Sequence, residues 1–350
     1  MKETKQRQWW RVWKTSKFLD YEYETDKKAI IAKYNQMGYR DARILSDTIY
    51  ANSANSINIE INLEEGRKYY FRDIIWVGNT KYSSEVLGKI LGIKKGDVYD
   101  QSRLEANLFM NPNGRDVSSL YLDDGYLFFN VEPVEALVVN DSIDLEMRVR
   151  EGKQATINKV TVVGNTKTND HVILRELRTK PGQLFSRADI IRSQRELSQL
   201  GYFNAETLGV DPKPNPVDGT VDIEYTVEEK PSDQIELSGG WGAGRIVGTL
   251  GVSFNNFSLR NMFKKGAWRP LPAGDGQRLS LRAQSNGLFF QSYNFSFMEP
   301  WLGGNKPNAF SVSAYHSVQS NGIQRGELNR EAIRITGVAV GLGTRLKWPD

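Results

Sequence analysis

The 350-residue chain carries 46 Lys and Arg against 42 Asp and Glu, a formal net charge of +4, with 39% hydrophobic residues and no cysteine. No run of eighteen apolar residues occurs, which excludes a conventional transmembrane helix, and so small a charge gives no ground for a nucleic-acid partner. The missing cysteines exclude disulfides, thiol catalysis and thiolate metal sites, and suit the bacterial periplasm as well as the cytosol.

Met1 to Lys17 is basic (Lys2, Lys5, Arg7, Arg11, Lys14, Lys17). It has no apolar stretch of the kind a signal peptide needs. Trp9, Val12 and Trp13 fall on one face at helical spacing. Such a segment suits either a helix on a membrane surface or the end of a helix packed on upstream elements. Met1 is expected to be an internal residue of a longer protein.

An internal repeat organises the next two hundred residues. Arg72-Asp73-Ile74-Ile75-Trp76-Val77-Gly78-Asn79-Thr80 returns as Asn158-Lys159-Val160-Thr161-Val162-Val163-Gly164-Asn165-Thr166. Gly78 and Gly164, Gly96 and Gly182, and Glu65 and Glu151 each lie 86 positions apart. Gly38-Tyr39, Gly125-Tyr126 and Gly201-Tyr202 extend the repeat to three copies, each after a helical stretch opened by Asp26, Asp116 or Asp189. Strict alternation comes next in each copy, as in Ile57/Ile59/Ile61/Leu63, Ile143/Leu145/Met147/Val149 and Val221/Ile223/Tyr225/Val227. Period two with one polar face predicts half-buried sheet strands. A second helix is predicted after each Gly-Asn-Thr turn, through Val86, Leu87, Ile90 and Leu91 and through Val172, Ile173, Leu174 and Leu177. Ser83 and Asn169 or Asp170 stand at its N-cap. The module is therefore an α+β unit of order β-α-α-β-β, two helices on one face of a three-stranded sheet. The boundaries expected are 1–69 for an N-terminally truncated module, 70–154 and 155–231 for two full ones, and 232–350 for a last region of different period.

After Glu229-Lys230-Pro231 the helical period disappears. Ile235 to Trp241 alternates, Gly242-Ala243-Gly244-Arg245 reads as a hairpin, and Ile246 to Phe254 returns. Further alternation runs through Leu279–Ala283, Tyr293–Phe297, Phe310–Ala314 and Ile333–Arg345. Each segment approaches the ~10 residues of a tilted transmembrane strand. The polar face carries Ser, Asn, Arg and Gln. A soluble β-sandwich alternates too, but Trp241, Phe289, Phe290 and Trp301 at strand ends resemble a membrane-interface girdle. The expectation is an incomplete antiparallel transmembrane β-barrel, its first five or six strands.

Gly201-Tyr202-Phe203, Phe254-Asn255-Asn256-Phe257 and Phe297-Met298-Glu299-Pro300-Trp301-Leu302-Gly303-Gly304, with the Val-Gly-Asn-Thr modules, resemble the BamA family of outer-membrane assembly proteins. Its modules are the polypeptide-transport-associated (POTRA) repeats. The resemblance implies five repeats, a sixteen-stranded barrel with a weak seam between first and last strands, and clients entering there. The Arg-Gly-Phe/Tyr loop that the family carries in its barrel does not occur in this sequence. Implied partners are unfolded outer-membrane β-barrel proteins, accessory lipoproteins and the lipid bilayer, with the repeats in the periplasm.

No catalytic signature supports an enzyme. His171 and His316 stand alone, at expected surface or lumen positions, and no His-Glu-x-x-His or Gly-x-Ser-x-Gly occurs. Gly239-Gly240-Trp241-Gly242-Ala243-Gly244 lacks the phase and the Lys-Ser/Thr of a phosphate loop. No cofactor or metal is expected. The candidate site is backbone: the first barrel strand, Ile235, Glu236, Leu237, Ser238, Gly239, Gly240 and Trp241, whose glycines weaken its pairing. It would offer free N–H and C=O groups to a client strand. A lesser candidate is the less regular strand after each Gly-Tyr (Asp41–Tyr50, Phe128–Val134 and Asn204–Val210), an edge by family analogy. In the last repeat it comprises Asn204, Ala205, Glu206, Thr207, Leu208, Gly209 and Val210. Rival functions are a two-partner secretion transporter, an autotransporter-assembly relative, a soluble periplasmic scaffold, and an enzyme fused to such a barrel.

Overall fold

A computed structural model of the chain describes residue 4 and residues 17–53, 56–111, 114–242, 245–268 and 271–344. The expected basic helix before Lys17, the hairpin tip at Ala243-Gly244 and Arg345 lie outside them. The chain forms two compact units, Met1–Thr156 with Leu184–Ala188, and Ile157–Gln183 with Asp189–Asp350.

In the first unit, α1 (Asp20–Gln36) leads into an antiparallel pair, β1 (Arg43–Ser53) and β2 (Ser56–Glu64). Asp26 does not open this helix. Asp20 and Glu22 take the first turn, where negative charge suits the exposed N–H groups. Asp26 is instead buried, accepting from the Thr4 backbone N–H at 2.6 Å.

The second repeat runs β3 (Tyr70–Val77), α2 (Ser84–Leu91), α3 (Gln101–Phe109), α4 (Val117–Asp123), β4 (Asn130–Val139) and β5 (Ser142–Arg150). Its sheet order is β3-β5-β4, with β3 parallel and β4 antiparallel to β5. The helix expected to open at Asp116 is α4; α3, ahead of it, is one the sequence pattern did not predict. Asp100 caps α3 through Arg103 N–H at 3.1 Å, and Asp116 caps α4 through Ser119 N–H at 2.7 Å. Ile143, Leu145, Met147 and Val149 all point into the core, against Leu87, Leu91, Leu104, Leu108 and Tyr121.

In the second unit the last repeat runs β6 (Thr156–Val163), α5 (Asp170–Leu174), α6 (Arg187–Gln199), β7 (Gly209–Asn215) and β8 (Thr220–Thr226), in sheet order β6-β8-β7. Val221, Ile223 and Tyr225 are fully buried. Ser83 caps α2, but Asn169 makes no capping bond at α5, because its side chain is committed elsewhere. Asp189 sits in the first turn of α6, after its start at Arg187.

A repeated clasp explains the Val-Gly-Asn-Thr motif. Gly78 (φ +88°) and Gly164 (φ +94°) press on the strand behind them: an added Cβ would lie 2.3 Å from Val149 O and 2.0 Å from Val227 O. Just beyond those carbonyls, Glu151 accepts from Thr80 N–H and Lys81 N–H, each at 2.8 Å, from the Thr80 hydroxyl and from Tyr121 Oη at 3.0 Å. Glu229 accepts from Thr166 Oγ1 at 2.6 Å, Lys167 N–H at 2.9 Å and Thr168 N–H at 2.7 Å. Burial alone would push both carboxyls up; the converging donors outweigh it and hold both below the usual carboxylate range.

Six antiparallel strands complete the second unit: β9 (Gln234–Gly242), β10 (Arg245–Phe257), β11 (Gln277–Ser285), β12 (Phe290–Glu299), β13 (Asn308–Ser320) and β14 (Ala332–Thr344). They pair in chain order, and the sheet is not closed: β9 and β14 are its edges among the described residues. Register brings the apolar positions of all six strands onto one face, from Leu237 beside Leu250 to Val312 beside Val340. On the opposite face Tyr315 lies over Gly337, where an added Cβ would meet its ring at 2.4 Å. An aromatic ring covering a cross-strand glycine helps to pin register.

Candidate functional site

The predicted strand Ile235–Trp241 is the core of β9, hydrogen-bonded to β10 on one side only among the described residues. Ile235, Leu237 and Trp241 are 79%, 82% and 74% exposed, so side-chain packing does little to hold the strand. Gly239 and Gly240 have nothing within 4 Å of an added Cβ. Two polar ties restrain it. Asn255 Nδ2 donates to Ser232 O at 2.6 Å before the strand starts. Glu236 reaches across Gly251 to Arg282, with Nη2 to Oε1 at 3.0 Å. The register places these three residues abreast on successive strands. A Cβ on Gly251 would stand 3.2 Å from Glu236 Oε2, so this glycine lets the ion pair span two strand spacings. An edge strand of this kind can accept a further strand through its backbone.

The lesser candidate is displaced along the chain. Of Asn204, Ala205, Glu206, Thr207, Leu208, Gly209 and Val210, only Gly209 and Val210 belong to β7. Asn204 bonds back to Glu206 N–H and to Thr207 Oγ1, a turn that postpones the strand. The equivalents Asp41–Tyr50 and Phe128–Val134 are likewise centred later, on β1 and β4. Both β4 and β7 are sheet edges, but not equivalent ones. In β7, Pro212 and Pro214 pair with Ile223 and Val221 in an unbroken ladder. A proline has no N–H and is tolerated in a ladder where its nitrogen faces away from the partner. The outer edge of β7 therefore lacks donors at both positions. By contrast β4 has one proline, Pro133, and its far end exposes Leu137, Val138 and Val139.

A cluster that sequence reasoning missed joins the last repeat to the sheet within the second unit. Asp275, 6% exposed, accepts from Asn169 Nδ2 at 2.9 Å and Ser258 Oγ at 2.6 Å, and His171 Nε2 stands 3.6 Å away. Asn256 donates to Thr168 Oγ1 at 2.8 Å and accepts from Gly276 N–H at 2.9 Å. Arg175 donates to Asp275 O, and its guanidinium lies 5.6 Å from the Trp301 ring centre. The signals were there, since Asn256 and Trp301 lie in the family-like stretches, but their partners are some 90 to 125 residues away.

Trp301 thus departs from the predicted interface girdle: its indole N–H donates to buried Glu176 at 2.5 Å, docking the repeat. Trp241 and the Phe289-Phe290 pair sit at the other end of the strands, with Arg245 stacked 3.2 Å over the Phe289 ring. His316 lies on the apolar sheet face, with Nδ1 2.7 Å from Thr336 Oγ1.

The POTRA family, described as surface antigen variable number repeat, matches residues 69–152 and 155–230. The outer membrane protein assembly factor BamA of Neisseria meningitidis serogroup B is 23% identical over 345 residues, 97% of this chain and 40% of that protein. The BamA of Nitratidesulfovibrio vulgaris is 29% identical over 251 residues, 71% of this chain and 31% of that protein. The chain therefore spans 31% to 40% of the length of these relatives. The crystal structure of Haemophilus ducreyi BamA lacking POTRA domains 1–3 superposes with a TM-score of 0.60 at 19% identity. It covers 78% of this chain and 47% of that one, a likeness of fold.

Proposed function

We propose that this chain, which carries two matched POTRA repeats and resembles BamA proteins, folds and inserts β-barrel proteins into a bacterial outer membrane, with its POTRA repeats in the periplasm. The observation that carries this reading is β9: an exposed, glycine-bearing edge strand tied down by two polar contacts and next to the docked last repeat. Clients are unfolded outer-membrane barrel strands, which add to the free edge of β9 by backbone hydrogen bonding. The work is non-enzymatic and uses no nucleotide or metal; its driving force is the pairing and burial of client strands. Of the β4 and β7 edges, β4 is open to a client or an accessory lipoprotein, because prolines close β7.

The apolar sheet face favours a membrane over a soluble scaffold. Leu237, Ile246, Leu250, Val338 and Val340 are each more than half exposed on it, and lipid is the solvent such a face suits. Cysteine substituted at Ser238 in the complete protein is expected to crosslink to a stalled client strand. Cysteine at Thr220, inside the β6-β8-β7 sheet, is expected not to. Absence of any Ser238 crosslink would remove strand addition at β9, and monodispersity without detergent would remove the membrane reading altogether.

A further inference from the structure

Polar side chains facing lipid are expensive and need partners, yet His316 is on the apolar face. It is four residues, roughly 13 Å of strand, short of the loop end of β13 at Ser320. Tyr293 and Thr336 stand directly opposite it on the neighbouring strands. The bond between Thr336 and Nδ1 leaves Nε2 as the atom able to meet a ligand. Arg334 lies two residues nearer the loop end, on the same face of β14. Below this group the small side chains of Ala283 and Ala314 leave a depression of about 470 Å³, walled by Leu250, Leu281 and Phe295.

We propose that this is a binding site for one phosphate-bearing acyl lipid, its chain in the Ala283–Ala314 depression and its headgroup between His316 and Arg334. The inference rests on the membrane reading above, since it takes the apolar face as lipid-facing. Charge and shape select this occupant together: a cation and an imidazole at the interface end suit a phosphate, and the depression suits hydrocarbon. No carboxylate is directly opposite His316 or Arg334 in the strand register.

The test is native mass spectrometry of the complete protein in detergent, titrated separately with phosphatidylglycerol, phosphatidylcholine of matched chains, and inorganic phosphate. Phosphatidylglycerol is expected to be retained, and His316→Gln with Arg334→Gln to lower its retention about tenfold, the worth of one charge-assisted hydrogen bond. Ala314→Phe, filling the depression, is expected to lower retention while the folded protein keeps its gel mobility. Equal retention of the two lipids, or no loss in the double variant, overturns the headgroup site. Phosphate binding that displaces no lipid overturns the choice of lipid. A protein that needs detergent yet retains no phosphatidylglycerol sinks this inference alone; one that needs no detergent sinks the membrane reading beneath it.

Discussion

Glu151 and Glu229 each hold the Gly-Asn-Thr loop of their own repeat through three or more donors. With folded pKa values below the ordinary range, these carboxylates stabilise the repeats above about pH 4.3, and that contribution fades as pH falls through the folded value. Glu151→Gln is expected to cost about 2 kcal/mol at neutral pH. It should also flatten the decline of stability on acidification, as urea unfolding at a series of pH values would read. The two glycine types give a sharper contrast. Gly164→Ala places a Cβ 2.0 Å from Val227 O and should cost about 3 kcal/mol or more. Gly182 has a similar φ of +85° with nothing within 4 Å, so Gly182→Ala should cost only about 1 to 2 kcal/mol. Equal melting temperatures for the two variants would mean that the close approach carries no energy. The motif itself was legible in the sequence, and Glu151 was visible as a repeat marker. What the glutamate does was not, because its donors lie some 70 residues upstream.

Strands with one apolar face announced themselves by alternation, and β5, β8 and β9 to β14 lie where the sequence placed them. The repeats' edge strands β4 and β7 did not. A strand packed on one side only is under weaker selection for alternation, and β7, with two prolines in seven residues, barely reads as a strand. Helix α3 was missed because it has few apolar positions, Leu104 and Leu108 among them, and no repeated marker follows it. The prolines lead to a prediction for this element: Pro212→Ala with Pro214→Ala returns two donors to the β7 edge. Hydrogen exchange of β7 should then slow when an extended peptide is added, while the unsubstituted protein shows no such protection. The β4 edge should be protected by the same peptide in both.

For the molecule as a whole, the Asp275 cluster decides whether the last repeat and the sheet behave as one body. Asp275→Ala would leave the buried Ser258 hydroxyl without its acceptor and cut the tie to the exposed Asn169, at a cost of about 2 kcal/mol. Faster amide exchange at Asn169 and through residues 274–277 is expected, with the β8 core unchanged. If exchange rises equally everywhere, the cluster supports global stability and no junction. Nothing in the local pattern of residues 258–276 indicated this docking, since its partners come from a module that ends before the sheet begins.

The prolines of β7 also bear on what happens between copies. Proteins confined to a membrane plane meet sideways at high effective concentration, and any two bare strand edges that meet there are an invitation to zip together. A last repeat whose rim lacks donors at Pro212 and Pro214 cannot pair in register with its twin. Under the membrane reading, this closes one route by which neighbouring copies could be linked into chains, the β7-to-β7 route.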